Sequence, residues 1–286
     1  MGMDIGLLLE GGGMRGIYTA GVLDYWMKRE LHFPYMIGVS SGAWHATNYI
    51  SRQPGRAKSI TIDLAKDHRA ISYRNWILKG SVFGFEFLFD KVPNELYPFD
   101  YTKYFQSEEQ LTFVLTDPHT GKAVYYTKED TPDQETLKQQ LTAAISLPYV
   151  AKPAQWLGKT LFDGGVAEPL PLQKAIDDGY GKLVVLLVKE KGYRKKRSRL
   201  DLPARWVYSK YPLFVESIMQ RYVRYNKIID EMERLEAEGR LFILRPSVMI
   251  GLDRMGRNPV ELEQMYKMGY SDAEQSYDAL ERWMSR

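Results

Sequence analysis

The 286-residue chain contains no cysteine, which excludes disulfide bonds, thiolate nucleophiles and cysteine-based metal sites. It also lacks any apolar run near the ~18 residues that a membrane-spanning helix needs. The longest such run is residues 183–188. The amino terminus shows no basic segment followed by an apolar one, as a signal peptide would. These absences predict a cytoplasmic protein.

Excess charge is also small. The formal net charge is +3 at pH 7, too little to indicate nucleic acid as a partner. Hydrophobic residues make up 44% of the chain and charged residues 26%, as in ordinary globular proteins. The length allows one large domain, or a core with an appendage.

The order of predicted elements indicates an α/β fold. A buried strand over residues 4–10 leads through a glycine-rich loop into a helix over 17–29. A second strand, 35–39, leads through a tight turn into a helix over 43–50. This alternation predicts a mainly parallel sheet with helices on its faces. Further strands are predicted at 111–115 and 122–126, as a hairpin, and at 183–188.

The character of the chain changes near residue 190. Residues 189–199 carry seven Lys or Arg and one Glu. An amphipathic helix is predicted over 213–238, with Gly239 at its end, and a strand over 241–244. The change predicts a core over residues 1–190 and a mostly helical C-terminal accessory region, 191–286, packed on it. Matches to the capping-box pattern predict helix starts at 131–134, 258–261 and 271–274.

The stretch Gly38-Val-Ser-Ser-Gly42 follows the second strand directly. The pattern Gly-x-Ser-x-Gly is typical of a nucleophile elbow, where a strand turns sharply into a helix and exposes the central serine. Small residues also fill turns that have no catalytic role. The pattern therefore makes Ser40 a candidate nucleophile and leaves a plain turn open.

The loop Gly11-Gly-Gly-Met-Arg-Gly16 permits three functional interpretations. A dinucleotide site needs an acidic residue at the end of the second strand, but that strand ends in Val39 and Ser40. A P-loop needs a Gly-Lys-Ser/Thr sequence that is missing. An oxyanion hole needs only backbone N–H groups at a helix N-terminus. Parallel neighbouring strands would bring this loop and Ser40 to one rim of the sheet. A turn that binds nothing stays open.

A serine nucleophile needs a base. In α/β-hydrolases an acidic residue and then a histidine follow the serine, but this chain has no histidine after His119. His45, on the helix after Ser40, is expected to point away from the turn. A carboxylate is the alternative, and Asp163 precedes two glycines where a loop could present it to the sheet's edge. An ordinary Asp-Gly turn is the other interpretation. The remaining histidines, His32 and His68, are read as surface or packing residues.

Taken together, the three motifs resemble the patatin-like phospholipase family. They occur in the family's order, and the resemblance covers roughly residues 4–190, including Ala144-Ile-Ser-Leu-Pro148 and Pro169-Leu-Pro171. The residues that carry it are Gly11, Gly12, Gly13, Arg15 and Gly16, then Gly38, Ser40 and Gly42, then Asp163, Gly164 and Gly165.

The resemblance implies a three-layer α/β/α sandwich and hydrolysis of acyl esters of lipids without a metal or organic cofactor. It implies that Ser40 is the nucleophile, that Asp163 is the only general base, and that the amides of Gly12 and Gly13 are oxyanion donors. Many members have alanine where this chain has Gly165, a departure not expected to change the chemistry. The part after residue 190 looks like an accessory region of bacterial members.

Two other functions remain as alternatives: a nucleotide-binding protein that uses the loop 11–16, and a catalytically silent lipid-binding module. The missing acidic residue argues against the first and the intact Ser40–Asp163 pair against the second. The expected partner is a lipid or acyl-ester substrate. The basic run 189–199 either contacts anionic headgroups at the inner membrane surface or is a solvated loop. Eleven aromatic residues in 73–105 form either a lid or acyl pocket, or core packing.

Overall fold

The computed structural model describes residues 5–248 and 251–286, so the predicted strand residue Asp4 lies outside it. The strands are β1 (Ile5–Leu9), β2 (Tyr35–Val39), β3 (Gln110–Asp117), β4 (Lys122–Thr127), β5 (Ala154–Trp156), β6 (Lys159–Asp163), β7 (Lys182–Leu186) and β8 (Leu241–Leu244). The α-helices are α1 (Ile17–Lys28), α2 (Ser41–Ile50), α3 (Arg56–Asp63), α4 (Tyr73–Lys79), α5 (Tyr101–Gln106), α6 (Gln134–Ala144), α7 (Leu172–Asp177), α8 (Ala204–Val207), α9 (Pro212–Ala237) and α10 (Pro259–Met284). Short 3₁₀ turns cover 13–16, 128–130 and 199–201, and a π-helix covers Phe87–Leu96.

All eight strands form one mixed sheet in the order β5-β6-β3-β2-β1-β7-β8, and β4 pairs with β3. Five neighbouring strands are mutually parallel: β3, β2, β1, β7 and β8. Strands β4, β5 and β6 run antiparallel to their neighbours. The predicted mainly parallel sheet is therefore confirmed. Strand β8 comes from the C-terminal part of the chain and extends the sheet beyond β7.

The sheet is covered on both faces, which gives the predicted three layers. Successive side chains of β1 alternate between two apolar clusters, as strand geometry requires. Leu7 and Leu9 join residues of α1, α2, α6 and α10 on one face. Leu8 joins residues of α7 and α9 on the other. Burial on both faces explains why the strand residues are almost continuously apolar.

The predicted helix 213–238 is confirmed as α9, which Gly239 follows with φ +74°. Two predicted helix starts were wrong. Residues 271–274 lie inside α10, because its buried stripe continues past them to Leu280 and makes one long helix more stable than two. Helix α6 is capped by Asp133, whose side chain accepts a hydrogen bond from the Thr136 amide at 2.8 Å, two residues after the predicted cap.

Helix α10 packs closely on α1 through two glycines. A Cβ added at Gly269 would lie 2.1 Å from the Tyr18 carbonyl oxygen, and one at Gly21 would lie 2.2 Å from that of Tyr266. Such approach of two helix backbones requires glycine. The segment that precedes α10 is thereby held above the glycine loop, where Arg254 accepts a hydrogen bond from the Met14 amide at 2.9 Å.

Candidate active site

Ser40 lies in the sharp turn between β2 and α2. Its backbone adopts φ +55° and ψ −126°, a conformation that non-glycine residues rarely hold. Its neighbours must be small, because a Cβ at Gly38 would lie 2.6 Å from the Ala43 amide nitrogen, and one at Gly42 would lie 2.5 Å from the Leu9 carbonyl oxygen. The Ser40 side chain makes no capping bond to α2. The local geometry is that of a nucleophile elbow.

Sheet register brings Asp163 next to Ser40. Strand β2 pairs with β3 as far as Val39, which lies opposite Val114. The next residue of β3, Leu115, pairs instead with Asp163 at the end of β6. Because β4 pairs with the same stretch of β3, β6 must use the edge of β3 that β2 leaves. Asp163 therefore takes the position after Val39, where the chain turns away at Ser40.

One oxygen of the Asp163 carboxylate is hydrogen-bonded and the other is not. Oδ1 accepts a hydrogen bond from the Gly165 amide at 2.7 Å. Oδ2 is enclosed and has no hydrogen-bond partner of standard geometry among the described residues. Burial raises the pKa of Asp163, while the approaching Ser40 hydroxyl, the Gly165 amide and Arg221 lower it less. A raised pKa makes this carboxylate a better proton acceptor than an exposed aspartate.

Close packing also explains the first glycine after Asp163. A Cβ at Gly164 would lie 2.1 Å from the Val114 carbonyl oxygen, so β3 backbone excludes any side chain there. At Gly165 the space is wider, with Asp163 Oδ1 at 3.0 Å and an Arg221 nitrogen at 3.1 Å from the added Cβ. Gly164 thus sets the turn, and Gly165 supplies the amide that orients the carboxylate.

The glycine loop approaches Ser40 from β1. A Cβ at Gly11 would lie 2.7 Å from the Ser40 Cβ, so only glycine permits the contact. The Gly12 amide donates to Ser41 Oγ at 2.9 Å. Gly13 has φ +57°, and its amide makes no hydrogen bond within the part of the chain that the structure describes. The two predicted oxyanion donors therefore differ, since Gly13 is available and Gly12 is engaged.

The other residues of this motif surround the turn. A Cβ at Gly16 would lie 2.8 Å from both His45 Nε2 and Ser41 Oγ. Arg15 follows Gly12 and Gly13 in the loop, and its enclosed Nε has no hydrogen-bond partner within the described ranges. Burial is the main cause that lowers the pKa of Arg15, and Arg254 lowers it further.

His45 lies closer to the site than expected. It follows Ser41 by four positions and so shares a helix face with Ser41 rather than Ser40. Its side chain lines the same cavity as Ser40. Burial alone lowers the pKa of His45 to about 3, so the ring is neutral at pH 7. His68 and His119 are exposed and His32 is half-buried, and no described histidine hydrogen-bonds to Ser40.

A largely apolar cavity of about 160 Å³ opens at Ser40. Its lining includes part of the aromatic segment 73–105. These aromatic side chains are Phe83, Phe89, Phe99 and Tyr101. An apolar chamber with a few polar groups at one end is typical of a site for an elongated apolar ligand.

A smaller cavity of about 20 Å³ is also lined by Ser40 and is polar. Several of its charged residues were not predicted as site residues: Glu10, Lys189, Lys195, Arg221 and Arg254. Glu10 is an ionisable residue at the end of a buried strand, a signal that the sequence did contain. Lys189 and Lys195 belong to the basic run 189–199, whereas Arg221 and Arg254 lie further along the chain, and no local pattern links these cations to Ser40.

Residues 5–248 and 251–286 contain neither a metal-ligand cluster nor a helix suited to a bilayer. No three His, Asp or Glu side chains there are grouped as metal ligands. In the same ranges, no helix has both the length and the apolar character needed to cross a bilayer.

The three-layer α/β fold, the serine turn, the facing carboxylate and the glycine loop have the arrangement that is typical of α/β acyl hydrolases. A model of the patatin-like phospholipase family matches residues 7–176. The match spans more than half of the chain, so this protein belongs to that family. A second model, of the domain of unknown function DUF6363, matches residues 211–285. Family membership indicates activity on lipid acyl esters.

Two individual proteins are similar over most of the chain. The uncharacterized protein YjjU of Escherichia coli strain K12 is 23% identical over 272 residues, which are 93% of this chain and 74% of YjjU. The crystal structure of VipD from Legionella pneumophila matches with 14% identity and a TM-score of 0.47. That match covers 96% of this chain and 67% of VipD.

Proposed function

We propose that this protein is a serine acyl hydrolase that cleaves lipid esters with Ser40 as nucleophile and Asp163 as the only general base. The observation that carries the proposal is the register of β2, β3 and β6, which brings the carboxylate to the strained serine. The core, residues 1–190, would carry this chemistry. The accessory region, 191–286, would cover the site at the glycine loop, where the Arg254 carbonyl accepts the Met14 amide.

In the first step Asp163 Oδ2 takes the proton of the Ser40 hydroxyl as Oγ attacks the ester carbonyl carbon. The carbonyl oxygen becomes an oxyanion in the tetrahedral intermediate. When the intermediate collapses, the ester C–O bond breaks and the leaving alcohol takes the proton from Asp163. Water then attacks the acyl-serine, Asp163 accepts its proton, and the released Ser40 oxygen recovers that proton.

The oxyanion would be stabilised mainly by the Gly13 amide, because this donor has no other partner among the described residues. The N-terminus of α2 adds a favourable dipole beneath Ser40. One well-placed oxyanion donor contributes about 3 kcal/mol to transition-state stabilisation. The Gly12 amide would contribute only after its bond to Ser41 opens.

The acyl chain would lie in the apolar cavity, whose lining includes both Gly13 and Ser40. This arrangement accounts for the aromatic segment 73–105 as part of an acyl pocket. It also favours an enzyme over a nucleotide-binding protein, because the larger of the two cavities at Ser40, about 160 Å³, is predominantly apolar.

Fluorophosphonate labelling tests the assignment of the nucleophile. The reagent should form an adduct on Ser40 that peptide mass spectrometry locates. The adduct should persist in Ser41→Ala and be absent in Ser40→Ala. Ser41 is a matched control because it is the adjacent hydroxyl, already held by the Gly12 amide. An adduct on Ser41, or ester turnover by folded Ser40→Ala, would show that the nucleophile is another residue.

A further inference from the structure

The small polar cavity beside Ser40 is lined by an unusual number of cations. We call it the basic chamber and define it by its five cationic side chains, Arg15, Lys189, Lys195, Arg221 and Arg254. It contains two carboxylates, Glu10 and Asp163. Four of the five cations come from outside the glycine loop, three of them from the accessory region. The chamber is therefore largely a product of that region.

These cations are not neutralised by ion pairs. Within the described ranges, none of the five lies within 4 Å of a carboxylate oxygen in an ion pair. Glu10 instead accepts hydrogen bonds from the Val188 amide at 2.8 Å and the Tyr225 hydroxyl at 3.1 Å. The enclosed Nε of Arg221 has no described hydrogen-bond partner. Donors are thus left unused at the chamber wall.

The cations also destabilise one another. The pKa of Lys195 is lowered to about 6, first by burial and then by Arg221 and Arg254. Burial, followed by Arg254, lowers the pKa of Arg221 to about 10. Clustered cations with poor solvation are costly in an empty site, and such clusters occur where a ligand supplies the opposite charge.

The chamber and the apolar cavity meet at the nucleophile. Gly13, Ser40, Leu147 and Arg254 line both. An ester bound at Ser40 would therefore have its acyl chain on the apolar side and its alcohol portion on the cationic side. The chamber is small, about 20 Å³, so a phosphate group would enter it as the long cationic side chains of its wall change rotamer.

We propose that the accessory region builds a phosphate-binding site beside Ser40, in which Lys195, Arg221 and Arg254 bind the oxygens of a phosphate group. Guanidinium groups bind phosphate oxygens in pairs, and a lysine ammonium adds a compact charge. The phosphate is either part of the substrate's alcohol portion or a free anion. The first source rests on the proposed function, and the second does not.

Binding of inorganic phosphate, measured by isothermal titration calorimetry, tests the site without turnover. The parent protein should bind phosphate, and Lys195→Met should weaken binding at least tenfold. Lys196→Met is the matched control, since it makes the same substitution at the next position, where the side chain is exposed; its affinity should stay within twofold. Lys195→Gln provides a second variant, and thermal unfolding checks that each is folded.

Hydrolysis of two esters with identical acyl chains, phosphatidylglycerol and diacylglycerol, distinguishes the two sources. If the phosphate belongs to the substrate, the ratio of kcat/KM for phosphatidylglycerol over diacylglycerol should fall at least tenfold in Lys195→Met and stay within twofold in Lys196→Met. If phosphate binds but the ratio does not change, the site holds a free phosphate.

The absence of phosphate binding in the folded parent protein, together with an unchanged ratio, would overturn the proposal. If the folded parent protein hydrolyses neither ester, the proposed function fails, while the calorimetric result still decides whether the chamber binds phosphate. The two proposals can therefore fail independently.

Discussion

Substitution of Gly13 by alanine gives the sharpest test of the oxyanion loop. Gly13 has φ +57°, and an alanine Cβ would lie 2.6 Å from the Arg254 carbonyl oxygen and 2.8 Å from Arg254 Cγ. That carbonyl cannot retreat freely, because it accepts the Met14 amide at 2.9 Å. Either the glycine loop or the segment above it must move.

The expected cost follows from these contacts. An L-residue in the left-handed region costs roughly 1–2 kcal/mol. Weakening the Met14–Arg254 hydrogen bond costs about 1 kcal/mol more. A shift of the glycine loop would relieve part of this total of about 2–3 kcal/mol, and such a shift moves the loop's amides. Loss of one oxyanion donor then lowers kcat by about 10²–10³-fold.

The assay is kcat on a short-chain p-nitrophenyl ester, with the free energy of unfolding from urea titration. Gly158→Ala is the matched control: Gly158 has φ +71° but no atom within 4 Å of an added Cβ. It should lose about 1 kcal/mol of stability and keep its kcat. A folded Gly13→Ala protein with kcat within threefold of the parent would refute Gly13 as the oxyanion donor.

Three further predictions concern the base, a buried histidine and the acyl cavity. Asp163→Asn should lower kcat by about 10³-fold or more, since a neutral amide cannot accept the Ser40 proton. Burial raises the pKa of Asp163, so its ionisation costs stability as pH rises through that pKa; in urea titrations Asp163→Asn should match or exceed the parent's stability at pH 8 and lose this advantage near pH 4. An active Asp163→Asn would exclude this base. Burial lowers the pKa of His45 to about 3. The parent's free energy of unfolding should therefore fall by up to about 1.4 kcal/mol per pH unit as the pH falls from 6.5, the pKa of this histidine in the unfolded chain, to about 3. A folded His45→Gln protein should lack that loss and keep kcat within tenfold, whereas a dead one would indicate a catalytic histidine. Leu88→Trp should lower kcat/KM for palmitoyl esters at least tenfold and for butyryl esters less than threefold, because Leu88 lines the apolar cavity; an equal loss on both would show that the acyl chain lies elsewhere.

The basic run shows where local sequence is a poor guide to role. As a string, 189–199 indicates a uniform cationic loop. In the structure Arg194 pairs with Glu233 at 2.7 Å and Asp230 at 2.8 Å on α9. The next residue, Lys195, turns into the basic chamber, while Lys196 is exposed. Three neighbouring cations thus have three different environments, which depend on α9 and not on the run itself.

The sequence alone determined what depends on short-range chemistry. The strands β1 and β2 and the elbow after β2 follow from apolar runs and from glycines whose Cβ atoms would collide with neighbouring backbone. Each of the family's three motifs is also a short contiguous stretch, so it can be read from the sequence directly. Helix ends were less certain: residues 271–274 match a helix start but continue inside α10, because burial of its long stripe outweighs a local capping preference.

Only the tertiary structure decided which distant residues meet. Asp163 becomes a partner of Ser40 because β2 ends at Val39 and β6 takes over the same edge of β3 one residue later. Arg221 and Arg254 reach the site through the packing of α9 and α10 on opposite faces of the sheet. Neither arrangement leaves a periodic signal in the sequence. Strand register and helix packing depend on contacts between residues far apart in the chain, and a local pattern does not record such contacts.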